Sequence, residues 1–226
     1  MSALLDAIAA TRAEVCALHG ELTRCSLVVW TAGNVSARVP GADLMVIKPS
    51  GVAYDRLTPE SMVVTDLFGT PADGDWGNPG LSPSSDAAAA GYVYRSMDDV
   101  GGVVHTHSTY ATAWAARGGP IPCVLTMMAD EFGGPIPVGP LALIGDDSIG
   151  QGIVATLRDS NSPAVLMRNH GPFTIGSDAR AAVKAAVMCE EVARTVHISR
   201  QLGEPLPLDA EVTAALFARY QNVYGQ

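Results

Sequence analysis

Lysine is almost missing from this chain: Lys48 and Lys184 are the only two among 226 residues. Charged residues of both signs amount to 16%, and the balance is acidic, with a formal net charge of −9. Such a chain has no electrostatic footprint for nucleic acid or for an anionic membrane surface. An anionic substrate would need a dedicated local site, which gives a lysine in a loop unusual weight. Cysteine is scarce too. Cys16, Cys25, Cys123 and Cys189 lie far apart with no CxxC pair, so they read as reduced, buried thiols and not as a disulfide frame or zinc knuckle. No apolar run approaches the ~20 residues of a membrane helix. The first residues include Asp6 and Glu14 and lack the basic cluster of a secretory leader. A soluble, cytoplasmic protein is expected. No GxGxxG or GxxxxGK[ST] pattern follows an apolar strand, so nucleotide-binding folds lose support.

Apolar residues are plentiful, at 48%, enough for a substantial core. The length suits one large domain, and residues 1–226 show no repeat, linker or internal boundary. Residues 3–22 carry Leu4, Ile8, Val15, Leu18 and Leu22 roughly on one helical face. Strands are expected at 25–30, 35–39, 44–47, 63–65, 103–107, 123–128, 136–140 and 164–167, from short apolar runs bounded by turn residues. Residues 58–61 suggest a helical turn, and 70–83 a long loop. Helices are expected from a Ser85 or Asp86 cap to 97, over 109–117, from Ser148 to 157, over 178–202 and over 209–220. In the longest of these, Ala182, Ala185, Ala186, Cys189, Val192, Ala193 and Val196 fall on the core face. The layout is α/β, with helices on both sides of a sheet.

The sharpest chemical signal is His105-Thr106-His107. Residues i and i+2 of a strand point to the same face, so both imidazoles can reach one metal ion. His170 closes another expected strand, before Gly171-Pro172. The pair also has a bland reading as a chance occurrence on a half-buried strand. His19 and His197, on expected helices, read as surface or satisfied groups. Asp86 opens a helix, and a plain N-cap accounts for it on pattern alone. The turns at 31–34 and at Lys48-Pro49-Ser50-Gly51 can be simple glycine-assisted connections, or a set of backbone N–H groups, hydroxyls and one ammonium around a phosphate.

Gly33-Asn34-Val35-Ser36, Lys48-Pro49-Ser50-Gly51, Pro83-Ser84-Ser85-Asp86, His105-Thr106-His107, Asn169-His170-Gly171 and Tyr224-Gly225-Gln226 follow one another in this order. In that order they resemble the class II sugar-phosphate aldolases and L-ribulose-5-phosphate 4-epimerases, over nearly the whole chain. The resemblance implies a single three-layer α/β/α domain around a mostly antiparallel sheet. It also implies a homotetramer with active sites between subunits and one Zn2+, or another divalent transition metal such as Mn2+. By the same resemblance His105, His107 and His170 with Asp86 would hold the metal. Gly33, Asn34, Lys48, Ser50, Gly51, Ser84 and Ser85 would hold the substrate's phosphate. Asp130 and Tyr224 would be the catalytic acid/base pair, at least partly from a neighbouring subunit.

Two details favour the epimerase branch. Aldolases of this family usually carry Glu where this chain has Asp86, and the Tyr-Gly-Gln ending is typical of the epimerases. The expected activity is metal-dependent 4-epimerisation of a pentulose phosphate, with a fuculose-phosphate type of aldolase as the alternative. A dehydratase or decarboxylase on a related sugar acid is a weaker alternative. An adducin-like scaffold would have no use for three histidines. The chain departs from the family pattern at Met128, where a histidine is common, in the alanine run after Asp86, and in lacking a histidine in its last helix. These departures bear on recognition of the sugar.

Overall fold

A computed structural model describes residues 2–223 apart from 74, 75, 77 and 79. The chain opens with α1 (Ser2–Arg24), followed by β1 (Asn34–Arg38), β2 (Leu44–Ile47) and β3 (Val63–Asp66). Helix α2 (Ala87–Ser96), β4 (Gly102–His105), α3 (Thr109–Arg117) and α4 (Thr126–Phe132) come next. They lead to β5 (Val138–Gly139), α5 (Ser148–Leu157), β6 (Ala164–Met167) and β7 (Gly171–Gly176), then α6 (Ala179–Leu202) and α7 (Ala210–Val223). The seven strands form one sheet in the order β3-β2-β1-β4-β7-β6-β5. Every pairing is antiparallel except β5 with β6. The architecture expected from the sequence, α/β with a mostly antiparallel sheet, is the one observed.

Strand alternation sorts side chains between two helical layers. Val104 faces the layer of α1 and the start of α6, with Val35, Ala37, Val46 and Val64. Its neighbour Val103 faces α2 and α5, with Met45, Ile47, Val165, Met167 and Phe173. In β6, Ala164 and Leu166 point the other way, toward Trp114, Phe132 and the distal half of α6. Helix α6 thereby spans two apolar clusters, and the seven residues assigned to its core face are all buried. Its Asp178 cap accepts a hydrogen bond from the Ala181 amide at 2.7 Å.

Two expectations fail locally, and one strand is not among those expected. Residues 25–30 are not a strand. Ser26 and Trp30 have φ of 56° and 58°, and the Leu27 amide turns back to Leu22 O at 2.9 Å. That bond closes the end of α1 and buries Leu27, so the apolar run serves a helix terminus. Residues 123–128 are not a strand either. Leu125 O accepts from the Met128 and Ala129 amides to start α4, whose buried residues are Met128, Ala129, Glu131 and Phe132. Gly133 ends that helix at φ 62°, where a Cβ would lie 2.7 Å from Asn161 Cβ. Finally β7, which pairs with both β4 and β6, has no signal, because it begins Gly-Pro and ends in a glycine.

Candidate metal centre and substrate cavity

The centre grows from sheet register. His105 is the last residue of β4 and pairs with Phe173 of β7 on one side and Asn34 of β1 on the other. Its ring stacks on Phe173, with centroids 4.0 Å apart and planes 13° apart. His107 lies two residues on, just past the strand end, and His170 sits in the tight β6–β7 turn. That turn is closed by His170 N donating to Met167 O at 3.0 Å and by Asn169 at φ 59°. Three imidazoles from two connections meet, with one ring nitrogen of each within 4.8 Å of the others.

The hydrogen bonds assign the tautomer of His105. Nδ1 lies 3.0 Å from Pro172 O, a pure acceptor, so Nδ1 carries the proton and Nε2 presents its lone pair. That Nε2 is 2.9 Å from His107 Nε2. Burial, then the charges of His170 and His107, hold His105 well below the ordinary histidine range. Burial lowers His107 and His170 as well, opposed in both by Asp86. Neutral imidazoles are what a divalent transition metal requires.

Asp86 stands at the N-cap position of α2, yet its side chain makes no capping bond. Its Oδ2 accepts from Asn34 Nδ2 at 2.7 Å instead, and Asn34 Nδ2 also reaches Ser84 Oγ at 3.2 Å. Burial raises the Asp86 pKa, while the Asn34 bond and the nearby His170 and His107 work against that rise. The plain capping role is thus replaced by a buried carboxylate beside three histidines. Asp86 Oδ1 and His170 Nε2 are both buried without a hydrogen-bond partner. Buried polar atoms rarely stay unpaired; the group whose ligand atoms all lie within 4.8 Å of one another is His105, His107 and His170, and Asp86 lines the same cavity outside that group. Three imidazoles fit Zn2+ or a metal of similar softness.

Asn34, Asp86, His105, His107 and His170 line a cavity of about 280 Å³. Gly33, Lys48, Ser50, Gly51, Ser84 and Ser85 line its remainder, so the eleven residues assigned to metal and phosphate share one space. Two connections that look independent in sequence are zipped together. Ser50 N donates to Ser82 O and Ser84 N to Lys48 O, each at 2.9 Å. Those two amides are therefore spent on the scaffold. Lys48 is only 2% exposed. Its Nζ reaches the Thr31 and Pro49 carbonyls at 3.3 and 3.2 Å and, among the described residues, forms no ion pair. Burial lowers its pKa. A buried ammonium without a counter-charge is costly, and an incoming phosphate would supply one. Gly33 has φ 83°, and a Cβ there would lie 2.9 Å from His105 O, so only glycine lets this turn approach the metal strand.

Several supporting residues carry no sequence signal. Tyr54 donates to Ala32 O and Gly33 O at 2.9 and 3.0 Å and places its ring 5.2 Å from Lys48 Nζ. His19, buried in α1, accepts from the Val35 amide at 3.0 Å, next to Asn34. Glu190 of α6 accepts from the Tyr110 and Ala111 amides, both at 2.9 Å, fixing the start of α3 just after His107. Each acts across more than fifteen residues of chain, a distance no local pattern encodes.

The two acid/base candidates lie elsewhere. Asp130 is half-buried on α4 and does not line the histidine cavity. Tyr224, with Gly225 and Gln226, lies outside the described residues. Helix α4 packs against α7, the helix that leads toward Tyr224.

Comparison with known proteins agrees with this geometry. Residues 13–197 match the family described as class II aldolase and adducin N-terminal domain. A solved L-fuculose 1-phosphate aldolase is 25% identical with a TM-score of 0.85, covering 93% of this chain and 96% of its own. YgbL from Klebsiella pneumoniae, described as a putative aldolase/epimerase/decarboxylase, is 26% identical with a TM-score of 0.77, covering 91% and 97%. With the match spanning most of its length and the histidine triad at its sheet end, the chain belongs to the class II aldolase and adducin N-terminal domain family.

Proposed function

We propose that this protein is a zinc-dependent 4-epimerase of a pentulose phosphate, of the L-ribulose 5-phosphate to D-xylulose 5-phosphate type. The observation that carries a sugar-phosphate substrate is the shared cavity, with neutral imidazoles and an unpaired carboxylate oxygen at one end and a buried, uncompensated Lys48. Asp86 carries the choice of branch.

The C4 hydrogen of such a sugar is β to the C2 carbonyl, so its removal gives no stabilised carbanion. Cleavage of the C3–C4 bond leaves its electron pair conjugated with C2, and rotation and re-addition of the aldehyde invert C4. A divalent ion held by His105, His107, His170 and Asp86 would supply Lewis-acid polarisation of the sugar oxygens. Lys48 with the hydroxyls of Ser50, Ser84 and Ser85 would retain the phosphate-bearing aldehyde while it turns. Asn34 holds Asp86 by a 2.7 Å bond, a methylene shorter than the glutamate usual in the aldolases. A carboxylate restrained in this way is poorly placed to protonate C3 and release a free fragment. Asp130 and Tyr224 would exchange the proton of the C4 oxygen on its two faces. Since Asp130 lies outside the histidine cavity of its own chain, a neighbouring subunit of a homotetramer would deliver it.

Incubation of the zinc-loaded protein with L-ribulose 5-phosphate in D2O tests the reading. Epimerisation predicts D-xylulose 5-phosphate with little deuterium at C3. Net release of two carbonyl fragments with deuterium at C3 would instead favour the aldolase reading, which the 25% identity to a protein named L-fuculose 1-phosphate aldolase supports.

A further inference from the structure

The chain's second lysine does for the helical corner what no residue of the cavity does. Lys184, on α6, places Nζ 2.8 Å from Glu131 Oε2, a carboxylate whose side chain is only 7% exposed. The same ammonium lies 5.0 Å from the centre of the Tyr220 ring and also bonds the Tyr220 side chain. Glu131 is the α4 residue next to Asp130, and Tyr220 belongs to α7, four residues before Tyr224 in sequence. Helix α7 has Thr213 as its one buried residue among those described, and it packs against α4. Glu131, Lys184 and Tyr220 line a cavity of about 450 Å³, with Phe217 and Gln221 of α7 also lining it.

We infer that Lys184 is a positioning residue for proton transfer, clasping α4 and α7 to α6 and so fixing the place from which Asp130 acts. A charged clasp suits the task better than an apolar contact. The ammonium pairs with a carboxylate on one side and meets a ring on another, which ties both helices to one point on α6. Partial burial depresses the Lys184 pKa, but its bonds to Glu131 and Tyr220 outweigh that and raise it overall, so the clasp stays charged at neutral pH. The inference rests on the acid/base role proposed for Asp130.

Removing Lys184 alone would strand the buried Glu131 charge and confuse positioning with stability. The informative protein is the double variant Lys184→Met/Glu131→Gln, compared with Lys184→Met, Lys184→Arg and Asp130→Asn. Melting temperature, zinc content and epimerase kinetics are measured on each. Lys184→Met should melt lower, and the double variant should regain most of that loss. If the clasp positions the acid/base group, the double variant still turns over ~10- to 100-fold more slowly, since small misplacements cost this much. Its KM and zinc content should stay near those of the unaltered protein. Lys184→Arg should recover part of the rate, and adding Asp130→Asn to the double variant should cost less than Asp130→Asn alone. Full turnover in a restabilised double variant, while Asp130→Asn remains slow, would overturn the positioning role and leave the acid/base reading intact. Full turnover of Asp130→Asn would overturn that reading, and the clasp's role with it.

Discussion

The sheet-end cavity and the α4–α7 corner are built on opposite principles. In the cavity, every group stands at a strand end or in a tight turn, and register brings them together. Asn34 pairs with His105, His105 pairs with Phe173, and the β6–β7 turn adds His170. Once β4 is flanked by β1 and β7, the backbone ladder leaves little freedom in where these side chains meet. In the corner, Asp130 rides on a seven-residue helix whose position depends on contacts with α7 and on an ion pair to α6. On the proposed reading, cation and phosphate binding would be complete within one chain, while proton transfer would have to be brought to it.

Breaking the cavity should have the largest effect. His105→Ala removes a buried ligand and the bond to Pro172 O together, and bound zinc and turnover should vanish in parallel. A rate loss of about a thousandfold or more is expected, because Lewis-acid stabilisation is worth several kcal/mol. Full zinc occupancy by elemental analysis would refute the ligand assignment. Breaking the corner comes next. Asp130→Asn should cost roughly 10²- to 10⁴-fold in turnover with zinc intact. Mixing Asp130→Asn subunits with His105→Ala subunits under reassembly should regain activity if one chain lends Asp130 to another's cavity. No gain on mixing would place both halves in the same chain.

Lys48→Ala sharpens the comparison within the cavity itself. A charge-assisted contact is worth ~1.5–3 kcal/mol, so KM for a phosphorylated sugar should rise about tenfold or more with zinc content unchanged. Unaltered affinity by titration calorimetry would reduce Lys48 to a buried structural cation. The mildest effect at neutral pH concerns His19. It donates to Val15 O at 2.7 Å and accepts from the Val35 amide, so the fold needs it neutral. Burial, with a smaller push from Lys48, lowers its pKa from 6.5 to about 4 against the Val15 bond. Between those values the unfolded chain binds the proton and the folded one does not. The contribution is whole above pH 6.5 and drains as pH falls toward 4, by at most ~1.4 kcal/mol per pH unit. Urea midpoints of the parent and of His19→Gln should converge across that window, and parallel curves would refute the assignment.

The same contrast explains what could be read in the sequence. Motif residues at strand ends were legible, because period-two strands and glycine turns leave local marks. All eleven residues assigned to metal and phosphate line one cavity. Residues 123–128 were misread since Cys123, Val124 and Leu125 look like a strand, whereas Leu125 and Gly133 bracket a helix. Residues 25–30 were misread because helix closure through Ser26 at positive φ needs no glycine to announce it. Strand β7 was invisible because proline seldom sits in a sheet interior. Tyr54, His19 and Glu190 act through partners distant in sequence, and composition cannot point to them.

That proline has a consequence of its own. Pro172 O accepts from the Thr106 amide at 3.2 Å and from His105 Nδ1 at 3.0 Å, so one carbonyl both continues the sheet and orients an imidazole of the histidine cluster. The orienting group is main chain, and every amino acid has one. An alanine scan for the partner of His105 would return nothing, since no side-chain deletion removes it. The chain can drift widely around this position while the imidazole keeps its aim, and the instruction that aims it would leave no trace in any alignment column.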